Sequence, residues 1–168
     1  HPYALIHPAA LMETKRWEAR KFAELARALQ NLGLSIVLTC GPGEESMVAD
    51  VSKDVPSPQI LLGMGIPELA ELIRGAKLYV GNDSGPMHLA AAVGTPIIAL
   101  WGSSDSKRWK PWSAEHTLVQ NPFECNPCAG YRCLVAATPL CIESVTVEQA
   151  IVAAEQLLKK HDTHPQPR

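Results

Sequence analysis

Short apolar runs alternate with amphipathic stretches along this 168-residue chain, and the alternation predicts a series of strands and helices. The stretch 17–32 shows the helical spacing best, because Phe22, Leu25, Leu29 and Leu32 recur on one helical face. The pattern predicts strands at 3–7, 35–39, 59–62, 78–80 and 97–101, and helices at 17–32, 44–53, 67–74, 86–93 and 146–161.

The order of these elements predicts an α/β fold with one doubly wound, Rossmann-like parallel sheet of roughly five or six strands. Ligands bind such sheets beyond the carboxyl ends of the strands, so the loops that follow the strands form the candidate site. We expect a single domain over residues 1–161, with a Cys-rich loop at 123–141 and a frayed polar tail at 162–168.

The segment YVGNDSGPMHLAAAVGTP (79–96) is the most informative part of the chain. It runs from a strand through a turn into an Ala-rich helix, whose first N–H groups and dipole favour an anion. Asp83, Ser84, Gly85 and His88 are its candidate binding residues, and Gly85 allows close approach to the main chain. Alternatively, Asp83 or Ser84 caps the helix and His88 is structural.

Three residues on other loops of the same edge are further candidates. Lys15 could neutralise a phosphate, or it could be an ordinary surface lysine near a helix start. Glu44 follows a Gly-Pro-Gly turn and could accept both hydroxyls of a ribose, or it could complement a helix N-terminus. Met64, between two glycines, could pack on a flat base or simply fill space.

Cysteine and tryptophan residues follow the last predicted strand. Four thiols in the pattern C-x2-C-x4-C-x7-C could ligate zinc or an iron–sulfur cluster, form disulfides, or remain free. They are Cys125, Cys128, Cys133 and Cys141. Before them, three tryptophans and three cations could form a sugar or acceptor platform, or pack against a second domain. These are Trp101, Trp109, Trp112, Lys107, Arg108 and Lys110.

The amino-acid composition limits the class of protein to which this chain can belong. Hydrophobic residues make up 46% of the chain and charged residues 19%, as in a globular protein. A net charge of −2 without a basic stripe predicts no nucleic-acid partner. No apolar run approaches the roughly 20 residues that span a bilayer, so we expect at most peripheral membrane contact. The chain begins with His1 rather than Met, which we interpret as an internal start.

Together these residues resemble the C-terminal domain of glycosyltransferase family 9, the ADP-heptose:lipopolysaccharide heptosyltransferases. The stretch VGNDSGPMHLAAAVGTPIIALWG is similar to the family signature D-[ST]-G-x-x-H-L-A-A, and KRW (15–17) and GPGE (41–44) agree with it. The resemblance covers about residues 3–160. It implies the donor-binding, C-terminal half of a GT-B glycosyltransferase, in which two doubly wound domains face each other across a cleft.

The resemblance also implies residue roles. Lys15 would contact the donor diphosphate, Glu44 the ribose and Met64 the adenine, while Asp83, Ser84, Gly85 and His88 would surround the diphosphate and the sugar. Lys15 and Asp83 would stabilise the transition state. Some family members carry threonines where this chain has Ala9 and Ala10, so the resemblance supports the class of donor better than its identity.

The implied activity is inverting transfer of heptose from ADP-heptose to a lipopolysaccharide core acceptor, with no cofactor required for transfer. The acceptor and the general base would belong to the missing N-terminal domain, so this chain alone would be inactive. The expected location is the cytoplasm, at the inner face of the bacterial inner membrane. The alternatives are a non-catalytic nucleotide- or metal-binding regulatory module, and a GT-B enzyme that uses another nucleotide-sugar, such as an epimerase.

Overall fold

Six parallel strands form one sheet at the centre of the computed structural model, which describes residues 1–112, 114–128 and 130–163. The strand order is β3-β2-β1-β4-β5-β6, and every neighbouring pair is parallel. The strands are β1 Tyr3–His7, β2 Ser35–Leu38, β3 Gln59–Ile60, β4 Leu78–Asn82, β5 Ile97–Leu100 and β6 His116–Val119. The predicted doubly wound α/β fold is therefore confirmed.

Helices connect the strands and cover both faces of the sheet. They are α1 Ala19–Asn31, α2 Glu45–Ser52, α3 Ile66–Gly75, α4 Gly85–Ala92, α5 Ser106–Trp109, α6 Leu140–Glu143 and α7 Val147–Thr163, with a short 3-10 turn at Glu13–Lys15. None of the helices in the described part of the chain combines the length and apolar character that a bilayer crossing requires.

Two apolar cores hold this arrangement together, one on each face of the sheet. Alternate strand residues point to opposite faces, so Ala4 and Ile6 of β1 join the larger core while Leu5 joins the smaller one. The larger core includes the buried face of α1, where Phe22, Leu25, Ala26 and Leu29 pack. The four central strands β2, β1, β4 and β5 are mostly buried on both faces, which explains why they read as apolar runs, whereas the edge strand β3 is exposed.

The predicted elements differ from the observed ones mainly at their ends. Leu32 was expected on the buried face of a helix over 17–32, but α1 ends at Asn31 and Leu32 is largely exposed. The prediction contained no separate β6, because its four residues His116–Val119 follow a Pro- and Trp-rich stretch and are largely half-buried. Helix α7 continues to Thr163, and residues 164–168 of the predicted tail lie outside the described residues.

The topology creates a crevice at the carboxyl edge of the sheet. From β1 the chain proceeds outward to β2 and β3, and it then returns to place β4 on the other side of β1. The loops after β1 and β4 consequently diverge to opposite sides, which leaves open space between them. Residues Pro8–Lys15 and Asp83–Gly85 follow these two strands, so the topology places them at this switch point.

Candidate functional site: a cavity at the switch point

A cavity of about 460 Å³ occupies the crevice beyond β1 and β4. Its walls come from the loops after β1, β2, β3 and β4, together with one residue of the Cys-rich segment, Tyr131. The structure brings together here six of the seven predicted binding residues: Lys15, Glu44, Met64, Asp83, Ser84 and Gly85. The volume suits a small-molecule ligand.

Lys15, Asp83 and Ser104 form a polar cluster at one end of the cavity. The Lys15 ammonium Nζ donates to Asp83 Oδ2 at 2.7 Å, and Ser104 Oγ donates to the same oxygen at 2.5 Å. Asp83 is only 6% exposed, so the hydrogen bonds from Lys15 and Ser104 offset the cost of removing its carboxylate from water. Because the ammonium group has three N–H donors, Lys15 retains donors for a ligand while it contacts Asp83.

The turn between β4 and α4 places backbone N–H groups beside this cluster. Ser84 is the N-cap residue of α4, but its side chain does not cap the helix. Ser84 Oγ is instead buried without a hydrogen-bond partner among the described residues. Gly85 begins the helix and Pro86, which has no N–H, follows it. Because Met87 N–H donates to Ser84 O at 3.1 Å, Gly85 N–H together with the helix dipole favours an anion at the cavity wall.

Glu44 lies across the cavity, where its side chain turns back over the Gly-Pro-Gly turn. Gly41 N–H donates to Glu44 Oε2 at 3.0 Å, whereas the side chain makes no capping hydrogen bond to α2. Glu44 is nevertheless the N-cap residue of α2, so its charge also lies where it complements the helix N-terminus, and both hypotheses for Glu44 stay open. Both Gly41 and His7 approach Oε2, so Oε1 is available to a ligand.

His7, the last residue of β1, is a cavity residue that the sequence interpretation missed. Its Nε2 lies 4.0 Å from Glu44 Oε2, and the side chain is almost fully buried. Burial lowers the pKa of His7 below its usual value of 6.5, although the Glu44 charge acts in the opposite direction. The imidazole is therefore neutral near pH 7. Its position at the carboxyl end of a predicted strand was the signal that could have identified it.

Apolar residues surround Met64 at the other side of the cavity. Met64 follows β3, and Ile66 and Leu69 of α3 line the same wall. Ile66 is largely exposed, which leaves an apolar surface at the mouth. Cys40 also lines the cavity, and burial together with the neighbouring Glu45 and Glu44 raises the pKa of its thiol to about 11. Cys40 is therefore a protonated thiol near neutral pH.

Two predicted features lie apart from the cavity. His88 is exposed on α4 and does not line the cavity, so a sugar contact by His88 stays a prediction. Trp101 was grouped with a surface platform, but it is fully buried beneath the sheet edge, where its indole N–H donates to Ser104 O at 2.9 Å. Trp109 and Trp112 remain on the surface.

The Cys-rich segment covers one side of the cavity rather than forming a metal centre. Cys128 N–H donates to Ser103 O at 2.8 Å, and Thr14 Oγ1 donates to Gly130 O at 2.8 Å, which ties the segment to the site loops. These contacts place Tyr131 at the cavity wall.

The four predicted metal ligands are not assembled. Cys125 is exposed, Cys128 and Cys133 are half-buried, Cys141 is buried in α6, and all four are free thiols. Among the described residues, no three His, Cys, Asp or Glu side chains form a group that could hold a metal ion. The interpretation of Cys125, Cys128, Cys133 and Cys141 as zinc or iron–sulfur ligands is therefore unsupported.

Comparisons with known proteins agree with the geometry. Residues 1–138 match the sequence profile of glycosyltransferase family 9 (heptosyltransferase). The chain is 40% identical over 116 residues to lipopolysaccharide heptosyltransferase 3 of Escherichia coli K12, covering 66% of this chain and 34% of that protein. The chain thus spans about a third of the length of this curated relative.

Solved structures share the fold over nearly the whole chain. A family 9 glycosyltransferase from Veillonella parvula has a TM-score of 0.82 and 27% identity, over 95% of this chain and 46% of that one. The E. coli heptosyltransferase WaaC, solved with ADP, has a TM-score of 0.70 and 23% identity, over 94% of this chain and 43% of that one.

Proposed function

The chain belongs to glycosyltransferase family 9, and from this premise we propose that its cavity binds the ADP part of an ADP-heptose donor. The observation that carries the proposal is the convergence of Lys15, the Asp83–Gly85 turn and Glu44 around one cavity at the switch point. The cavity offers a counterpart to each part of a nucleoside diphosphate: an anion-binding end for the diphosphate, a hydrogen-bond acceptor for the ribose hydroxyls and an apolar wall for the base. ADP is the first ligand to test because it occupies the solved WaaC enzyme.

Lys15 and the start of α4 would hold the diphosphate. The ammonium group and the positive end of the α4 dipole, with Gly85 N–H, would also stabilise the charge that develops on the departing ADP. Asp83 is itself negative and would repel a phosphate directly. Its contact with Lys15 Nζ at 2.7 Å suits a positioning residue, which fixes where the ammonium group lies.

Glu44 and Met64 would hold the nucleoside. Among the described residues, the contacts of the Glu44 carboxylate are with Oε2, so Oε1 can accept hydrogen bonds from ribose hydroxyls. The Met64 thioether suits the face of a purine ring, as sulfur makes favourable contacts with aromatic groups. Ala9 and Ala10 also line the cavity and offer no hydroxyl to the phosphates, which leaves Lys15 as the principal side-chain donor there.

The rest of the reaction would require parts of the protein outside this chain. Attack by an acceptor hydroxyl needs a general base. We propose that a separate domain supplies this base and binds the acceptor. The acceptor would be a lipopolysaccharide core at the cytoplasmic face of the inner membrane. The whole protein would then be an inverting heptosyltransferase that needs no cofactor for transfer, and this chain would bind donor without turning it over.

Titration calorimetry of the chain with ADP, UDP and adenosine tests the proposal. We expect one ADP per chain. UDP should bind more weakly because a pyrimidine offers Met64 a smaller ring face than a purine does, and adenosine should bind more weakly because it offers Lys15 no phosphate. A folded sample that binds none of the three would contradict the donor-site proposal. Tighter binding of UDP than ADP would instead support the alternative of another nucleotide-sugar enzyme.

A further inference from the structure

A short basic and aromatic segment stands out on the surface beyond the cavity. Lys107, Arg108, Trp109, Lys110 and Trp112, which we name the KRWKW patch, are all exposed. Trp112 is 82% and Trp109 49% exposed, although exposing large apolar rings to water is unfavourable. The proposed donor site uses none of these residues.

The main chain beneath the patch is firmly held. Asp105 caps α5 by accepting from Lys107 N–H at 2.9 Å, and Pro111 is buried between the two exposed tryptophans. The Arg108 guanidinium lies over the Trp109 ring, 5.3 Å from its centroid. The exposure of these side chains is therefore a feature of an ordered surface.

The cations of the patch lack the carboxylate partners that several other surface cations have. Lys53 pairs with Asp50 and Arg74 with Glu71, each three residues earlier in the chain. In the part of the chain that the structure describes, Lys107, Arg108 and Lys110 make no ion pair. A locally positive surface thus persists on a chain whose net charge is −2.

We propose that the KRWKW patch binds the headgroup region of an anionic phospholipid bilayer. Tryptophan prefers the interface between water and hydrocarbon, and lysine and arginine are attracted to anionic headgroups. A nucleic acid would require a broader basic surface than three cations within four residues. The combination of unpaired cations with exposed indoles therefore matches a lipid surface best.

The patch lies at the same edge of the sheet as the cavity. Ser104, which donates to Asp83 at the cavity, lies two residues before α5. The patch begins with Lys107, the second residue of α5. Binding of the patch to a bilayer would therefore hold the cavity close to the lipid surface. This consequence does not depend on the identity of the nucleotide.

Tryptophan fluorescence gives a direct measurement because the other two tryptophans, Trp17 and Trp101, are buried. We expect a blue shift when vesicles of phosphatidylcholine and phosphatidylglycerol are added, no shift with phosphatidylcholine alone, and reversal at high salt. No shift with either vesicle would overturn the proposal, as would equal binding to both. If the patch binds only another protein, no vesicle binding is expected.

Two matched triple variants separate the patch from net charge. K107Q/R108Q/K110Q should lower partitioning about a hundredfold, since each cation near an anionic surface contributes about fivefold. R20Q/K53Q/R74Q removes the same charge from exposed helix positions and should lower it less than threefold. Equal losses in the two variants, both shown to be folded by circular dichroism, would overturn the proposal.

Discussion

The two walls of the cavity differ in how their charges are held. On the wall that we propose for the diphosphate, Lys15, Asp83 and Ser104 are already joined by hydrogen bonds of 2.7 and 2.5 Å. On the wall that we propose for the nucleoside, Glu44 faces a neutral His7 at 4.0 Å, and its second oxygen remains available. One wall is thus assembled before any ligand arrives, whereas the other keeps an acceptor free. Substitutions in the first wall should therefore affect stability as well as binding, and those in the second mainly ligand recognition.

Lys15→Ala should have the largest effect. Loss of charge-assisted hydrogen bonds to the diphosphate should weaken ADP binding by about 2–3 kcal/mol, or about 30-fold to 150-fold. Adenosine, which has no phosphate, should bind the variant nearly as well as the original chain. Calorimetry with both ligands measures the difference, and Lys53→Ala, at the exposed residue directly after α2, serves as the control. Equal weakening of ADP and adenosine would show that Lys15 does not contact phosphate.

The same substitution should also destabilise the fold, and a second change should restore part of the loss. Lys15→Ala leaves Asp83 buried with only Ser104 as a partner, which should lower the unfolding free energy by about 1–3 kcal/mol. In the double variant K15A/D83N no buried charge remains, so it should be more stable than K15A alone. Urea unfolding gives both values. A double variant that is less stable than K15A would exclude a coupled pair.

Asp83→Asn should weaken ADP binding by about tenfold, less than Lys15→Ala does. The asparagine keeps an oxygen for the Ser104 hydroxyl, but it no longer fixes the ammonium group beside the phosphates. Adenosine binding provides the internal control in the same titrations. Tighter ADP binding by this variant would mean that Asp83 acts through charge repulsion rather than by positioning Lys15.

Glu44→Gln should affect selectivity for the ribose. The amide oxygen can still accept from Gly41 N–H, so the turn should persist while the charged acceptor is lost. We expect ADP to bind about fivefold to tenfold more weakly, with little change for 2′,3′-dideoxy-ADP, which lacks both hydroxyls. If the variant lowers the affinity for both ligands equally, Glu44 does not bind the ribose.

His7 should make a small contribution that depends on pH. Because burial lowers its pKa in the folded state, the unfolded chain holds more protons between that lowered pKa and about 6.5. Stability should therefore fall as the pH drops through this window, by at most about 1.4 kcal/mol per pH unit, and this term is absent above it. His7→Gln should flatten the dependence in urea unfolding from pH 8 to pH 5. An unchanged slope would show that His7 is not the group responsible.

The fold and the position of the loop between β4 and α4 could be predicted from the sequence. Several contacts within the candidate site could not. The strand Leu78–Asn82 begins with three apolar residues and a glycine and polar residues follow them, so the local pattern was sufficient to locate it, although it did not include Gly81 and Asn82. The meeting of Lys15 with Asp83 followed from their positions after neighbouring strands. The role of Ser104 could not be predicted, because it depends on how the loop after β5 folds back over Asp83.

The Cys-rich segment shows where local pattern fails. The spacing of Cys125, Cys128, Cys133 and Cys141 suggested a shared metal, yet the fold places Cys125 at the surface and buries Cys141 in α6. Long-range hydrogen bonds to Ser103 and Thr14 determine the path of the segment, and no sequence periodicity encodes them. His7 was missed for a related reason, since its proximity to Glu44 arises only when β1 and β2 pair.

A crystal structure of the chain with ADP would show directly whether the cavity is the nucleotide site. We expect the diphosphate between Lys15 Nζ and the Asp83–Gly85 turn, the ribose hydroxyls on Glu44, and the adenine beside Met64. ADP bound outside this cavity, or bound within it with the diphosphate at Glu44 and the adenine at Lys15, would contradict the account.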